Sequence, residues 1–121
     1  MNRPLRLLLM TALAAAPAPA PLVAARGASG LNLVNNTGQT IFNLYIRRTG
    51  TTSWQPLAAT PPKPARGLKA SAAFNDPDCA FDLKVTLEDK SQPVWAGVNL
   101  CEVKSLILNR NEAGVTWVDY D

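Results

Sequence analysis

The chain has 121 residues, of which 47% are apolar and 17% are charged, with two cysteines and no histidine. This length and composition fit one globular domain. The missing histidine excludes a Ser-His-Asp triad, a Cys-His pair, HExxH zinc sites and histidine-ligated haem, and two cysteines cannot supply four thiolates for zinc or an iron–sulfur cluster. We therefore expect no catalytic residues, no cofactor and no metal, and we predict that the protein is not an enzyme.

The first 25 residues have the layout of a secretory signal peptide. Arg3 and Arg6 form a positive start, an uncharged apolar run covers 7–16, and short side chains lead to a cleavage position after Ala25. A membrane span needs about 20 apolar residues, and prolines follow this shorter run. The sequence thus predicts an exported protein, periplasmic or extracellular, with no stable membrane insertion after cleavage.

Removal of the signal peptide changes the charge of the chain. The net charge of +3 falls to +1, because ten basic and nine acidic residues remain. The only basic clusters are Arg47-Arg48 and the group Lys63, Arg66 and Lys69, which is interleaved with prolines instead of aromatic residues. Nucleic-acid binding needs a sustained basic face, so we predict no nucleic-acid partner.

The rest of the chain divides into a short tail over 26–30 and one domain over 31–121. Short segments rich in β-branched and aromatic residues alternate with turn residues, and no helical period is visible. The predicted strands cover 31–35, 40–49, 68–74, 79–88, 94–100, 104–109 and 115–120. A sheet with one apolar face needs a partner layer, so we predict an all-β fold, an antiparallel β-sandwich of about seven strands.

The segments before residue 68 show two different patterns. In the strand predicted over 40–49, alternation puts Phe42 and Leu44 on one face and Ile41 on the other. Segment 55–67 contains four prolines, which remove backbone donors and exclude an interior strand. We predict an extended connection between the sheets or along one edge, anchored by Leu57. A proline-rich ligand for a groove is the alternative.

The clearest alternation in the chain runs over 79–88, with apolar odd positions and mostly polar even positions. In the next strand the same rule puts Val94 and Val98 on one face and Trp95 on the other, together with Cys101. This parity predicts either a bulge near Gly97 or a strand that is buried on both sides.

The two cysteines, Cys79 and Cys101, are 22 positions apart in a chain with an export signal. Oxidising compartments favour disulfides, and neither cysteine belongs to a CxxC motif. We therefore predict one structural disulfide between them, which stabilises the domain by roughly 3 kcal/mol on the chain-entropy model.

Carboxylates around the first cysteine admit several interpretations. Oxygen ligands at this spacing can hold Ca²⁺, but the glycine and the closing glutamate of an EF-hand loop are missing, so a capped turn is favoured. If Asp82 is buried it needs a basic partner. The acidic residues of the cluster are Asp76, Asp78 and Asp82, and the candidate partners of Asp82 are Arg47, Arg48 and Lys84.

An exposed platform for a sugar ring or a peptide could be formed by five aromatic side chains, Tyr45, Trp54, Trp95, Trp117 and Tyr120. Of these, Tyr45, Trp54 and Trp95 form the candidate binding surface. Trp95 is the best candidate for exposure because alternation places it opposite Val94 and Val98. The competing interpretation is that one or two of the tryptophans are anchors in the core of the sandwich.

Several segments resemble a group of small exported bacterial proteins with the pattern NxTGxxIxxLYI…W…CxFDL…WxGVxLC. The segments are Asn35-Asn36-Thr37-Gly38, Ile41, Leu44-Tyr45-Ile46, Trp54, Cys79-Ala80-Phe81-Asp82-Leu83 and Trp95-Ala96-Gly97-Val98-Asn99-Leu100-Cys101. The chain departs from the group over 55–67, where proline-rich sequence replaces a more acidic loop. The resemblance implies an exported single domain with one disulfide, and it supplies no catalytic residue.

These observations predict a small exported, non-catalytic binding or structural module of the bacterial cell envelope, with an envelope protein or a glycan as partner. One alternative is a carbohydrate-binding domain that uses exposed aromatic side chains. A carboxylate-based hydrolase is the other alternative, although no local arrangement singles out two carboxylates.

Overall fold

In the computed structural model, the described residues are 27–101 and 105–121, and they form two packed β-sheets without a helix. The signal peptide predicted over 1–25 lies outside these residues. The eight strands are β1 (Ala28–Asn36), β2 (Ile41–Arg48), β3 (Gln55–Leu57), β4 (Lys69–Asp76), β5 (Ala80–Leu87), β6 (Val94–Asn99), β7 (Leu106–Arg110) and β8 (Thr116–Tyr120). The prediction of an all-β sandwich is confirmed.

The first sheet has the strand order β4-β1-β7-β8, and the second has the order β3-β2-β5-β6. Neighbouring strands are antiparallel, as predicted, with the exception of β1 and β7, which are parallel. The chain enters β7 from the second sheet, and no hairpin turn forces β7 to run opposite to β1.

The strand count and the start of the domain also differ from the prediction. The additional strand, which was not predicted, is β3. It lies in the proline-rich segment at the edge of the second sheet, where Pro56 is tolerated. The segment then crosses to the first sheet, where Thr60 bridges to Ser71 of β4. The predicted connection between sheets is therefore confirmed. Strand β1 begins at Ala28, inside the segment predicted as a tail, and Ala28 is buried.

The core lies between the two sheets and consists mainly of leucine, valine, isoleucine and alanine side chains. Strand β5 is the central element of this core, and every apolar side chain of its predicted alternation points inward. Its inward side chains are Phe81, Leu83, Val85 and Leu87. Leu57 packs against this core, as expected for the anchor of the proline-rich segment.

The first residues of β2 have the opposite orientation to that of the simple alternation. Ile41 is buried, whereas Phe42 is 41% exposed. The pairing of β2 with β5 shifts register between Ile41 and Asn43, and Leu44 and the residues after it resume regular alternation. An irregularity of this kind exchanges the faces of the side chains that precede it, which is why Phe42 is outside the core.

The bulge expected near Gly97 is confirmed. The β5–β6 register shifts so that Leu83 pairs with Trp95 and Phe81 pairs with Val98, and Gly97 has a φ of 65°. The shift lets both Trp95 and Val98 face the core. The expected exposure of Trp95 was therefore wrong. The side chain is 2% exposed, and its indole N–H donates to the backbone oxygen of Asn109 at 3.0 Å.

The predicted disulfide between Cys79 and Cys101 is confirmed. It joins the residue before β5 to a residue just after β6, so it ties two neighbouring strands of the second sheet at one end of the sandwich. The backbone N–H of Leu100 also donates to the oxygen of Cys79 at 2.9 Å. Disulfides are typical of proteins in oxidising compartments, and this one is compatible with export. Within the described residues we find no helix of the length and apolarity needed to cross a membrane.

Candidate functional site

The outer face of the second sheet carries a strip of polar and aromatic side chains across β2 and β5. Beyond the β2 irregularity, even positions of β2 point to the core and odd positions point outward. The opposed residues on the outer face are Asn43 with Thr86, Tyr45 with Lys84, and Arg47 with Asp82. The strip from Asn43 to Arg47 is about 13 Å long at the usual rise of a strand.

One end of this strip is held by the carboxylate of Asp82, which is 4% exposed although it lies on the outer side of β5. It accepts hydrogen bonds from Arg47 Nε at 2.9 Å, from Thr49 Oγ1 at 2.9 Å and from the backbone N–H of Gly97 at 3.0 Å. The expectation that a buried Asp82 pairs with a basic residue is confirmed, and the partner is Arg47. All three hydrogen bonds stabilise the ionised form of this carboxylate.

The ionisation of Asp82 follows from competing effects. Burial disfavours the charge, but the hydrogen bond from Gly97, the contact with Arg47 and the hydrogen bond from Thr49 outweigh it and lower the pKa of Asp82. Asp82 thus remains a carboxylate, and its charge is used to fix the side chain of Arg47.

The middle of the strip is occupied by two aromatic rings and two cations. Strand β3 pairs with β2 so that Pro56 lies opposite Tyr45, and this pairing brings Trp54 beside the strip. The guanidinium carbon of Arg47 lies 4.1 Å from the centre of the Trp54 ring. The Lys84 Nζ lies 4.7 Å from the Trp54 ring centre and 5.0 Å from the Tyr45 ring centre. We call these four side chains, Tyr45, Trp54, Arg47 and Lys84, the aromatic–basic face.

The structure brings together two of the three aromatic residues proposed from the sequence. Tyr45 and Trp54 are both half-buried and share the ammonium group of Lys84, whereas Trp95 lies in the core and is not part of the surface. Two other aromatic side chains, Trp117 and Tyr120, are exposed on β8 at the edge of the first sheet. They are separate from the aromatic–basic face.

The place of Lys84 in this surface was not predicted from the sequence, where Lys84 was only a candidate partner for Asp82. A signal was present, because Tyr45 and Arg47 are two positions apart on one strand and Asp82 and Lys84 are two positions apart on another. Side chains two residues apart share a face, so each pair could have been placed on one side of a sheet. The pairing of the two strands, which sets the rings beside the cations, was not readable from this pattern.

The cations at this end of the second sheet differ in their electrostatic partners. Arg47 pairs with Asp82, and Arg48 pairs with Asp76 at 2.9 Å. Lys84 makes no ion pair with any residue in 27–101 or 105–121. The aromatic–basic face therefore presents one positive charge that no carboxylate of the described chain balances.

The other candidate site, the aspartates around Cys79, is a turn. The side chain of Asp76 accepts hydrogen bonds from Arg48 Nε and from the backbone N–H of Asp78, and Asp78 caps the N–H of Cys79. In the part of the chain that the structure describes, no three histidine, cysteine, aspartate or glutamate side chains are grouped to hold a metal ion.

The chain was compared with models of protein families, with curated proteins and with solved structures, and none of the three comparisons gives a match. The interpretation of the aromatic–basic face therefore depends on its chemistry. Its cations can bind a ligand through charge and hydrogen bonds, and its rings can pack against apolar parts of the ligand.

Proposed function

We propose that the protein is a small exported, non-catalytic binding module of the bacterial cell envelope and that it binds a glycan on the aromatic–basic face. The observation that carries this proposal is the position of Lys84 beside both Tyr45 and Trp54 on the outer face of a sheet. Sites built on strands are held more rigidly than sites built on loops, which reduces the entropy lost when a ligand binds.

The surroundings of the aromatic–basic face favour a glycan over a peptide. Asn43 and Thr86 continue the strip, and Gln92 Nε2 donates to Thr86 Oγ1 at 2.9 Å. Amide and hydroxyl groups next to half-buried rings suit a ligand that has both hydroxyl groups and apolar C–H edges. A peptide added at the sheet edge would instead need a free strand edge, and β3, the edge next to this face, has only three residues, one of them Pro56.

Two of the described carboxylates, Asp82 and Asp89, support a non-catalytic role. A glycoside hydrolase needs one carboxyl group with a raised pKa as the general acid. The pKa of Asp82 is lowered, and hydrogen bonds from Gln39 and Ser91 lower the pKa of Asp89 to about 2. Both groups are therefore held as carboxylates by their hydrogen-bond partners.

Export is supported by the layout of residues 1–25 in the sequence and by the disulfide. Periplasmic or extracellular residence follows from the signal peptide if it is cleaved after Ala25. The intact mass of the protein purified from the envelope fraction, with and without reductant, tests processing and the disulfide together.

A glycan array followed by titration tests the function. We expect the wild-type protein to bind at least one class of glycan on the array, and we expect Tyr45→Ala combined with Trp54→Ala to weaken that binding by at least about tenfold. Trp117→Ala is the matched control, because it removes an exposed tryptophan from the other sheet. Absence of binding to every glycan, or equal loss in the control, would contradict the proposal. Circular dichroism checks that both variants are folded.

A further inference from the structure

We infer that Lys84 makes the aromatic–basic face selective for glycans that carry carboxylate groups, such as chains of uronic acids. This inference rests on the proposed function and adds the class of ligand. It is carried by three observations on the described residues: the absence of an acidic partner for Lys84, the occupation of the neighbouring cations, and the place of the ammonium group over the rings.

The ammonium group of Lys84 lies at the surface of the sheet, and no carboxylate within 27–101 or 105–121 forms an ion pair with it. Its side chain is half-buried, and its Nζ lies over the rings of both Tyr45 and Trp54. Partial burial removes some of the hydration of the charge, and the quadrupoles of the rings replace only part of it. A ligand carboxylate that approaches from the solvent side adds a charge-assisted hydrogen bond to this group.

The charges of the neighbouring cations are already paired with carboxylates. The guanidinium of Arg47 is bonded to Asp82 and stacked on Trp54, and Arg48 is bonded to Asp76. A carboxylate on the ligand would compete with an existing aspartate at either arginine. At Lys84 it meets no competitor among residues 27–101 and 105–121, and this difference assigns the selectivity to Lys84.

Repulsion from the protein's own acids on this face is small. Asp82 is the nearest carboxylate in the opposed β2–β5 pairs, and its two oxygens are used by Arg47, Thr49 and Gly97. Its charge is balanced by Arg47, so the net charge of the four-residue face with Asp82 included is +1. An uncharged sugar can accept hydrogen bonds from the ammonium group, but it brings no opposite charge to it, and it must also share the ring faces with the two cations.

The test uses oligomers of galacturonate, glucuronate and mannuronate, each compared with its methyl ester, in which the sugar is unchanged and the charge is removed. We expect at least one oligouronate to bind the wild-type protein about tenfold or more tighter than its ester, the factor for one charge-assisted hydrogen bond. The preference should shrink at about 0.5 M salt, where screening is strong.

Lys84 variants assign the effect to the residue. Lys84→Met removes the charge and keeps an unbranched apolar side chain, so we expect it to bind the acid no more tightly than the ester. Lys84→Arg should keep the preference. Lys69→Met is the matched control, since it removes an exposed lysine from the first sheet, and it should behave as the wild type.

The outcomes separate the inference from the proposed function. Equal affinity for acid and ester, or a full preference for the acid in Lys84→Met, overturns the inference and leaves a glycan-binding module in place. Binding of neutral glycans on the array with no binding of any oligouronate does the same. Failure to bind every glycan overturns both statements.

Discussion

At the scale of single residues, Asp82 organises the second sheet. It lies on β5, binds the side chain of Arg47 on β2, and accepts the backbone N–H of Gly97 on β6. One buried carboxylate thus connects three adjacent strands and fixes one of the two cations of the aromatic–basic face. Its removal should affect stability and the position of Arg47 together.

We predict that Asp82→Asn lowers the free energy of unfolding by about 2 kcal/mol. The amide keeps the volume of the side chain, but it leaves the charge of Arg47 without its partner. The side chain of Arg47 is 27% exposed, so solvent screening keeps the loss below that of a fully buried pair. Urea unfolding followed by fluorescence measures the difference. Asp121→Asn, at an exposed C-terminal residue, should change stability little, and an Asp82→Asn protein as stable as this control would refute the role given to Asp82.

Single residues also show where sequence reasoning stops. The need of Asp82 for a basic partner followed from electrostatics alone and is confirmed. The burial of Asn35 was not foreseen, because asparagine next to a turn is normally a surface residue. Its side-chain amide donates to the oxygens of Gln39 and Pro64, and its side-chain oxygen accepts from Thr37. The backbone oxygen of Pro64, which is distant in the sequence, supplies an acceptor that the buried amide needs.

At the scale of elements, the bulge in β6 decides which side chains enter the core. Val98 and Trp95 are both buried because the extra residue near Gly97 changes the parity of the strand. The same bulge turns the N–H of Gly97 toward Asp82. The bulge therefore links the packing of the core to the outer face.

We predict that Gly97→Ala costs about 1–2 kcal/mol of unfolding free energy and that Gly97→Asn costs less. A Cβ at this position meets no atom within 4 Å, so the cost comes from the φ of 65° and not from a clash. Asparagine tolerates this left-handed conformation better than alanine does. Thermal unfolding of the two variants compares them. If alanine were as stable as glycine, or asparagine worse than alanine, the backbone explanation would be wrong.

Elements with strict alternation were predictable, and elements with an irregularity were predictable only in part. In β5 each apolar side chain of the pattern points inward. The pairing of β5 with β2 is regular from Thr86 back to Phe81. In β2 a single irregularity exchanged the faces on which the side chains of Ile41 and Phe42 lie. No glycine at this point of the sequence indicates the irregularity. In β6 Gly97 indicated the bulge. Whether Trp95 was buried depended on the exact position of that bulge, which the sequence did not specify.

At the scale of the whole molecule, three acidic residues make stability depend on pH. Hydrogen bonding to Arg48 lowers the pKa of Asp76, that to Gln39 lowers the pKa of Asp89 to about 2, and the pKa of Asp82 is lowered despite its burial. Between the unfolded-state values near about 4 and the lower folded-state values, the unfolded chain binds more protons. The stabilisation is thus complete above about pH 4 and is lost as the pH falls through the folded-state values.

We predict a free energy of unfolding that is nearly constant from about pH 7 to about pH 5, since the chain has no histidine, and that falls steadily from about pH 4 to about pH 2. Denaturant titrations at several pH values measure the curve. Asp89→Asn should shorten the falling part at its acid end. A midpoint of the loss near pH 6, or stability that rises on acidification, would contradict this assignment.

The architecture of the whole molecule was predictable to the level of two facing sheets and no further. The need to cover the apolar faces of the strands, such as β5, implied a second layer, and the predicted export implied the disulfide. The order of strands in each sheet was not available, because the parallel contact of β1 with β7 joins segments about 70 residues apart, and no local signal specifies it. The same limit applies to the aromatic–basic face, which Trp54, the residue before β3, completes from outside the two central strands.

The most direct test of the central claim is a nuclear magnetic resonance titration of the ¹⁵N-labelled protein with the tightest-binding glycan from the array. The three tryptophans give three indole N–H signals, and each reports a different place: Trp54 on the aromatic–basic face, Trp95 in the core and Trp117 on the other sheet. We predict that the signal of Trp54 and the backbone signals of Tyr45 and Lys84 shift progressively, while the indole signals of Trp95 and Trp117 stay in place. Shifts centred on Trp117 and the other sheet, with Trp54 unchanged, would contradict the claim.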